Sequence, residues 1–218
     1  MNTRLLRQPL TGVTVLAALL SGCSLLGASR GESPTIYAPR PQLQAAADWP
    51  QVDWQLGIAR PEASRMIDSL RIAVRPSADE IQVYSGANWA RPPSDQLVDA
   101  LLQVLGDSGR ISAASRQGSG LANDYRLLLD LRHYEADYAG QATPSVVIEV
   151  NAQLMRVHDQ RVAGARTFRQ QLPVGASDIP NVVATFERAL ANVTTDIAGW
   201  ALHAGQADRV RHPLPPRR

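Results

Sequence analysis

The sequence contains no lysine and only one cysteine, Cys23. All 22 of its basic residues are arginine, which we interpret mainly as the codon usage of a GC-rich genome. The formal net charge is only +2, and it falls to about zero when the first 22 residues, which hold Arg4 and Arg7 and no acid, are set aside. A chain without a strong positive field is not expected to attract nucleic acid.

The sequence also lacks the motifs of common active sites. No histidine pair has the H-x-x-x-H or H-E-x-x-H spacing, no serine lies in G-x-S-x-G, and no phosphate-binding glycine loop precedes a helix pattern. Glu135 and Asp137 are two residues apart on a predicted strand, where a solvated edge is the simpler interpretation than a catalytic pair. We give structural or solvated roles to the four histidines, which are His133, His158, His203 and His212. The sequence therefore predicts no catalytic residue, no metal site, no cofactor and no enzyme.

The start of the chain carries the clearest positive signal. Two arginines precede an apolar run from Leu10 to Leu20, and Ser21, Gly22 and Cys23 follow. A positive start, a short apolar centre and a small-residue cleavage site are typical of a secretory signal peptide, and the run is too short to span a bilayer. The ending resembles the bacterial lipobox, which implies cleavage between Gly22 and Cys23. Acylation of Cys23, with palmitate among the acyl chains, would leave no free thiol, and stable anchoring needs more than one chain.

Composition divides the chain into four parts. Residues 1–22 are the predicted lipoprotein signal peptide, and the small and polar residues 23–34 are a predicted tether. Residues 35–203 carry the strand and helix patterns of one domain. Residues 204–218 are predicted to be a disordered tail, loose from Gly205 onward and ending in a proline-rich stretch.

The domain mixes strand and helix patterns. Alternating apolar residues predict strands over residues 35–39, 52–56, 69–74, 81–85, 111–114, 125–132, 146–154 and 161–172. A change of alternation near His133 predicts a bulge. Ser94 is predicted to cap a helix that runs to Gly106, with Gly106 and Gly109 as its stop, and Asp178 is predicted to open a second helix. This order predicts an α+β fold, with a mostly antiparallel or mixed sheet and two main helices packed on one face.

Four tryptophans accompany only two phenylalanines. Trp89 and Trp200 are predicted to lie in the core. For Trp49 and Trp54, core packing and exposed contact stay equally open. A continuous apolar cavity near Trp49 and Trp54 would indicate a ligand site, whereas a solid core would favour a protein that holds other molecules in place.

Several segments in order resemble one known family. They are Asp68–Pro76, Ile81–Tyr84, Asn88-Trp89, Leu105–Ile111, Asn123–Leu127 and Phe186–Leu190. Together with the lipobox, they resemble the PqiC-like ABC-type transport auxiliary lipoproteins from about Tyr37 to Leu202. The resemblance implies a periplasm-facing lipoprotein that works with an ABC permease, its ATPase and a substrate-binding protein of the mammalian-cell-entry (MCE) class. Such Mla-type systems are thought to move phospholipids or other hydrophobic molecules between membranes, and the family offers no catalytic residue.

The resemblance favours a non-catalytic adaptor held to a membrane by acylated Cys23. Docking would use an exposed sheet edge or the sheet face carrying Glu149, Asn151 and Gln153, and we expect the edge. Ser24, where an aspartate would indicate inner-membrane retention, favours the outer membrane. Two alternatives stay open: a lipoprotein that binds a lipid-like ligand in a groove between helices and sheet, and an envelope hydrolase. A homo-oligomer also stays open.

Overall fold

The computed structural model describes residues 33–213 and confirms the α+β class. Nine strands and two helices form within these residues. The strands are β1 (Thr35–Tyr37), β2 (Val52–Ile58), β3 (Glu62–Ala63), β4 (Arg71–Ser77), β5 (Glu80–Trp89), β6 (Ile111–Arg116), β7 (Tyr125–Asp137), β8 (Ser145–Arg156) and β9 (Val162–Pro173). The helices are α1 (Pro93–Ser108) and α2 (Ile179–Arg211).

Strand β7 is the centre of the sheet. On one side β7, β8 and β9 form an antiparallel meander. On the other side β2, β3 and β4 pair with β7 in parallel at successive positions, so the sheet branches. One branch adds β6 beside β2, and the other adds β5 and then β1 beside β4. The predicted bulge is confirmed, because the β7–β8 register shifts between Leu131 and His133.

The apolar alternation of β8 determines which side of the sheet is covered. Val146, Ile148, Val150, Ala152 and Leu154 are all 0% exposed and lie in the core. Helix α2 packs on β8 and β9 and against α1, which also packs on β6. Burial of one apolar face by two helices is the main stabilising term of such a layered fold.

Two expectations about strand boundaries are corrected. Leu70, predicted to face inward on a strand, is 49% exposed because β4 begins one residue later, at Arg71. Glu62 and Ala63, which lie outside every predicted strand, form the two-residue strand β3 and pair with Asp130 and Leu131 of β7.

The prediction of a loose tail from Gly205 onward is wrong for residues 205–211, because α2 continues to Arg211. Gly205 is buried against the core. Its lack of a side chain leaves room for the neighbouring Trp54 ring and does not end the helix. His212 caps the helix after Arg211, its backbone N–H donates to the Asp208 carbonyl, and Pro213 follows. The rest of the expected tail, residues 214–218, lies outside the described residues.

The residue that caps the start of α1 is Asp68, and not Ser94 as predicted. Ser94 lies inside the helix, and no side chain of its own segment caps it. Instead, the backbone N–H of Ser94 donates to Asp68 Oδ1 at 2.9 Å, across 26 residues of sequence. At the other end the helix runs past Gly106 and stops at Gly109, which has a φ of 60°. A carboxylate at a helix N-terminus satisfies a free amide and complements the helix dipole.

Asp68→Ala is therefore expected to lower the free energy of unfolding by about 1 kcal/mol, the usual cost of a lost N-terminal cap. Ser94→Ala is the matched comparison and should cost less, because the Ser94 side chain makes no capping bond. Urea denaturation of both variants measures the difference. If Ser94→Ala lowered the free energy of unfolding more than Asp68→Ala did, the assignment of Asp68 as the cap of α1 would be contradicted.

Candidate docking surface

The residues with predicted chemical roles lie outside the described part of the chain. Gly22 and Cys23 precede residue 33, so cleavage and lipidation there stay predictions. Within residues 33–213, no helix is both long and apolar enough to cross a bilayer. No cluster of three or more His, Cys, Asp or Glu side chains in that range is arranged to hold a metal ion.

Glu135 does not lie at a solvated edge, contrary to the sequence interpretation. Its side chain is buried and contacts Arg75 Nε and His133 Nδ1, each at 2.8 Å from Oε1. Asp137 accepts from the Ala139 backbone N–H. The two carboxylates are therefore engaged with different partners rather than with each other.

The other histidines have separate partners. His158 lies in the β8–β9 turn beside Asp159, and His203, on α2, approaches Asp48 at 3.8 Å. His212, expected in a loose tail, ends α2 and contacts Asp208 Oδ1 at 3.2 Å. These histidines each sit beside a different carboxylate, as expected for structural or solvated roles.

The tryptophans fill the space between helices and sheet. Trp54 and Trp89 are 0% and 1% exposed, and Trp49 is 4% exposed. Trp200 is only partly buried and packs against Phe168 of β9. A Cβ added at Gly199 would lie 2.5 Å from Trp49 Nε1, so this tryptophan and the helix backbone are in close contact. Of the two roles left open for Trp49 and Trp54, the structure therefore shows core packing.

The outer strand of the meander offers the longest one-sided edge. Strand β9 has 12 residues and pairs with β8 alone among the described strands. At about 3.4 Å per residue, this edge extends for roughly 40 Å. Long edges carry rows of backbone donors and acceptors that can pair with another strand.

The register identifies which backbone groups of β9 point outward. The Val174 N–H donates to the Pro144 carbonyl, and the β8–β9 register continues without a shift down to the Leu154–Gly164 pair. Hydrogen-bonded and non-hydrogen-bonded pairs alternate along an antiparallel ladder. The even-numbered residues from 164 to 172 therefore bond to β8. The outward N–H and C=O groups belong to Ala165, Thr167, Arg169 and Gln171.

A trough lies on the helix side of this edge. Its floor is α2, one wall is β9 and the other is an extended segment, residues 40–44, which we call the strap. Two adjoining depressions of about 430 and 480 Å³ form it and share Gln42, Ala191 and Asn192. Gln170 and Leu172 of β9 line the wall. The strap is fixed to α2 by its Arg40 N–H, which donates to Glu187 Oε1 at 3.0 Å.

The face without helices carries polar cross-strand pairs. Arg169 of β9 contacts Glu149 of β8 at 2.8 Å, and Asn151 donates to Thr167 at 3.0 Å. Arg132 of β7 approaches Glu149 at 3.9 Å. Glu149 and Asn151, expected on a solvated face, are therefore already paired within the sheet, and Gln153 is exposed on the same face.

The sequence analysis did not identify β9 as the edge or the trough beside it. The available signal was composition, because Phe168 is the one buried residue of β9 and three polar residues, Arg169, Gln170 and Gln171, follow it directly. A strand that buries little side-chain surface is typical of a sheet edge. The trough could not be found in this way, since the strap and α2 are far apart in sequence.

The comparisons with known proteins agree with this architecture. The model of a family described as ABC-type transport auxiliary lipoprotein component matches residues 35–198. A crystal structure of a Xanthomonas campestris protein is similar at 47% identity and a TM-score of 0.78, over 81% of this chain and 99% of that one. The structure of an uncharacterized protein shares the fold at 17% identity and a TM-score of 0.58, over 77% of this chain and 97% of that one. No curated protein matches the chain.

The family match spans most of the described residues, from the first strand into α2. It agrees with the resemblance found from the sequence segments. The chain belongs to the family of ABC-type transport auxiliary lipoprotein components.

Proposed function

We propose that this protein is the periplasm-facing lipoprotein of an MCE-type ABC transport system and serves there as a non-catalytic adaptor. In this function it joins a permease, an ATPase and an MCE-domain substrate-binding protein that move phospholipids or other hydrophobic molecules between membranes. The observation that carries the proposal is membership of the auxiliary lipoprotein family. The lipobox at Cys23 supplies the membrane attachment.

The fold supports an adaptor in two ways. The close packing of buried Trp49 and Trp54 suits a rigid body that positions other molecules. The long edge of β9 provides a surface on which such a body can dock. ATP hydrolysis by the ATPase would supply the energy, so the adaptor itself needs no reactive group. Ser24 after the acylated cysteine favours attachment to the outer membrane.

Affinity purification of the tagged full-length protein from detergent-solubilised membranes tests this function. We expect the MCE-domain protein, the permease and the ATPase to co-purify, and lipid analysis of the complex to show bound phospholipid or another hydrophobic molecule. A preparation that contains none of the three proteins would refute the proposal.

Cys23→Ala tests the anchor separately. Without the thiol no acyl chain can be attached, so we expect the variant to leave the membrane fraction, while the wild-type protein carries acyl chains by intact-mass spectrometry. Cys23 is the only cysteine, so a group attached through sulfur can be carried only there. A wild-type protein of unmodified mass would contradict the prediction.

A further inference from the structure

We propose that β9 accepts an extended, acidic segment of a protein partner as an additional strand of the sheet. The proposal rests on the proposed function, in which the partner belongs to the transport system. Four residues supply the main-chain contacts, because Ala165, Thr167, Arg169 and Gln171 direct their N–H and C=O groups away from β8. Added strands gain affinity from such main-chain bonds and specificity from alternate side chains.

The charges of β9 specify the acidic character of the segment. The strand contains Arg166 and Arg169 and no carboxylate, and Arg161 directly precedes it. Arg166 lies over the Phe168 ring at 5.0 Å, Arg169 pairs with Glu149, and the Arg161 backbone N–H donates to Asp159. Opposite charges on neighbouring strands stabilise their pairing. Carboxylates of the partner would therefore be favoured on both faces of the added strand.

The trough accommodates the side chains that the added strand directs toward the helices. Its floor carries Asn192, Thr195 and Asp196, and Asp196 already accepts from the Gln170 amide at 3.0 Å. Gln42 and Gln44 of the strap form the far wall. These amide and hydroxyl groups can donate and accept hydrogen bonds. Short polar side chains next to Gln170 fit this lining better than large apolar ones.

The same charges argue against a second copy of the chain at this edge. If two β9 strands paired, each would contribute arginines and no carboxylate of its own to the new interface. Like charges brought together across a strand pair are destabilising. Pairing with a segment of opposite charge avoids this cost.

Site-specific photo-cross-linking tests the proposal. A photoreactive amino acid is placed at Thr167 on the outward edge, and at Arg65, an exposed position in the β3–β4 connection, as the matched control. Both full-length variants are expressed together with the permease, the ATPase and the MCE-domain protein. We expect a cross-link from position 167 to an acidic, extended segment of one of these proteins, identified by mass spectrometry, and none from position 65.

Two substitutions then separate main-chain pairing from charge. Ala165→Pro removes one outward donor and leaves the bonds to β8 in place, since proline is tolerated where the N–H faces away from the sheet. The double change Arg166→Glu and Arg169→Glu reverses the strand's charge. Each should reduce the yield of the cross-link by about tenfold, the effect of about 1.4 kcal/mol. Arg65→Glu reverses a single charge away from β9 and should leave the yield unchanged.

The outcomes distinguish this surface from the wider function. A cross-link between two copies of the chain overturns the proposal, and so does an unchanged yield in both β9 variants. Absence of a cross-link while the transport proteins still co-purify refutes the β9 surface and leaves the adaptor function standing. Absence of both refutes the two proposals together. Circular dichroism of each variant shows that lost cross-linking is not lost folding.

Discussion

Asp208→Ala is expected to lower the free energy of unfolding by about 3 kcal/mol, because it leaves a buried arginine with one charge partner fewer. Asp208 is 3% exposed near the end of α2 and accepts from the Tyr125 hydroxyl at 2.9 Å. Arg156 Nε lies 3.5 Å from the same Oδ2 atom, and the Arg156 side chain is only 6% exposed. Burial, assisted by the bond to Asp208, raises the pKa of the Tyr125 hydroxyl, which therefore stays a donor.

Removing one partner of a buried ion pair generally costs about 3–5 kcal/mol. The lower end applies here because Arg156 keeps a second contact, to Asp159 at 3.1 Å. Asp208→Asn should cost less than Asp208→Ala, since an amide oxygen can still accept from Tyr125. Urea denaturation at neutral pH measures both values.

Arg209→Ala is the control for Asp208→Ala. Arg209 is the next residue on α2, and its partner Asp53, at 3.0 Å, has a side chain that is 74% exposed. Exposed pairs contribute about 0–1 kcal/mol, so this variant should unfold close to wild type. A loss in Arg209→Ala as large as in Asp208→Ala would show that disturbance of the helix end, and not the buried charge, determines the effect.

Local patterns predicted the parts of the fold that depend on short-range periodicity. The alternation from Val146 to Leu154 correctly gave the buried face of β8, and the change near His133 correctly gave the bulge. Asp178 opens α2 as predicted, since its carboxylate accepts from the Asn181 N–H at 3.1 Å. Each of these features is determined by residues within one element.

Features made by distant segments could not be found in this way. Asp68 caps α1 across 26 residues, and nothing in the sequence around Ser94 indicates that partner. The parallel pairing of β2, β3 and β4 along β7 likewise depends on connections that periodicity does not encode. Of the docking surface, only the hydrophilic composition of β9 was visible in the sequence.

Gly205 shows that a glycine can lie inside a helix as well as at its end. Glycine after an apolar stripe indicates a helix end, but here the helix passes through it because an aromatic ring occupies the space a side chain would take. A Cβ at Gly205 would lie 2.5 Å from Trp54 Cζ2 and 2.9 Å from Cη2. Trp54 is 0% exposed and stacks edge-on with Tyr125 at 4.9 Å between ring centroids, so it has little freedom to move.

Gly205→Ala is therefore expected to destabilise the fold, although alanine is the better helix former. Overpacking a core costs about 1–3 kcal/mol, and the gain in helix propensity returns about 1 kcal/mol. We expect the free energy of unfolding to fall by up to about 2 kcal/mol, measured by urea denaturation. Gly106→Ala in α1 is the matched control, because a Cβ there meets no atom within 4 Å, and it should raise stability by about 1 kcal/mol.

A double-mutant cycle connects the loss to the tryptophan. Trp54→Phe removes the part of the ring system nearest to Gly205, so Gly205→Ala should cost less in that background than in the wild type. Coupling energies of about 0.5–3 kcal/mol are usual for residues in direct contact. Additive effects of the two changes would show that the close contact with Trp54 is not the reason for glycine at position 205. The same would follow if Gly205→Ala stabilised the protein as much as Gly106→Ala. Coupling would show that the end of α2 is a packed part of the domain, held to β2 through Trp54.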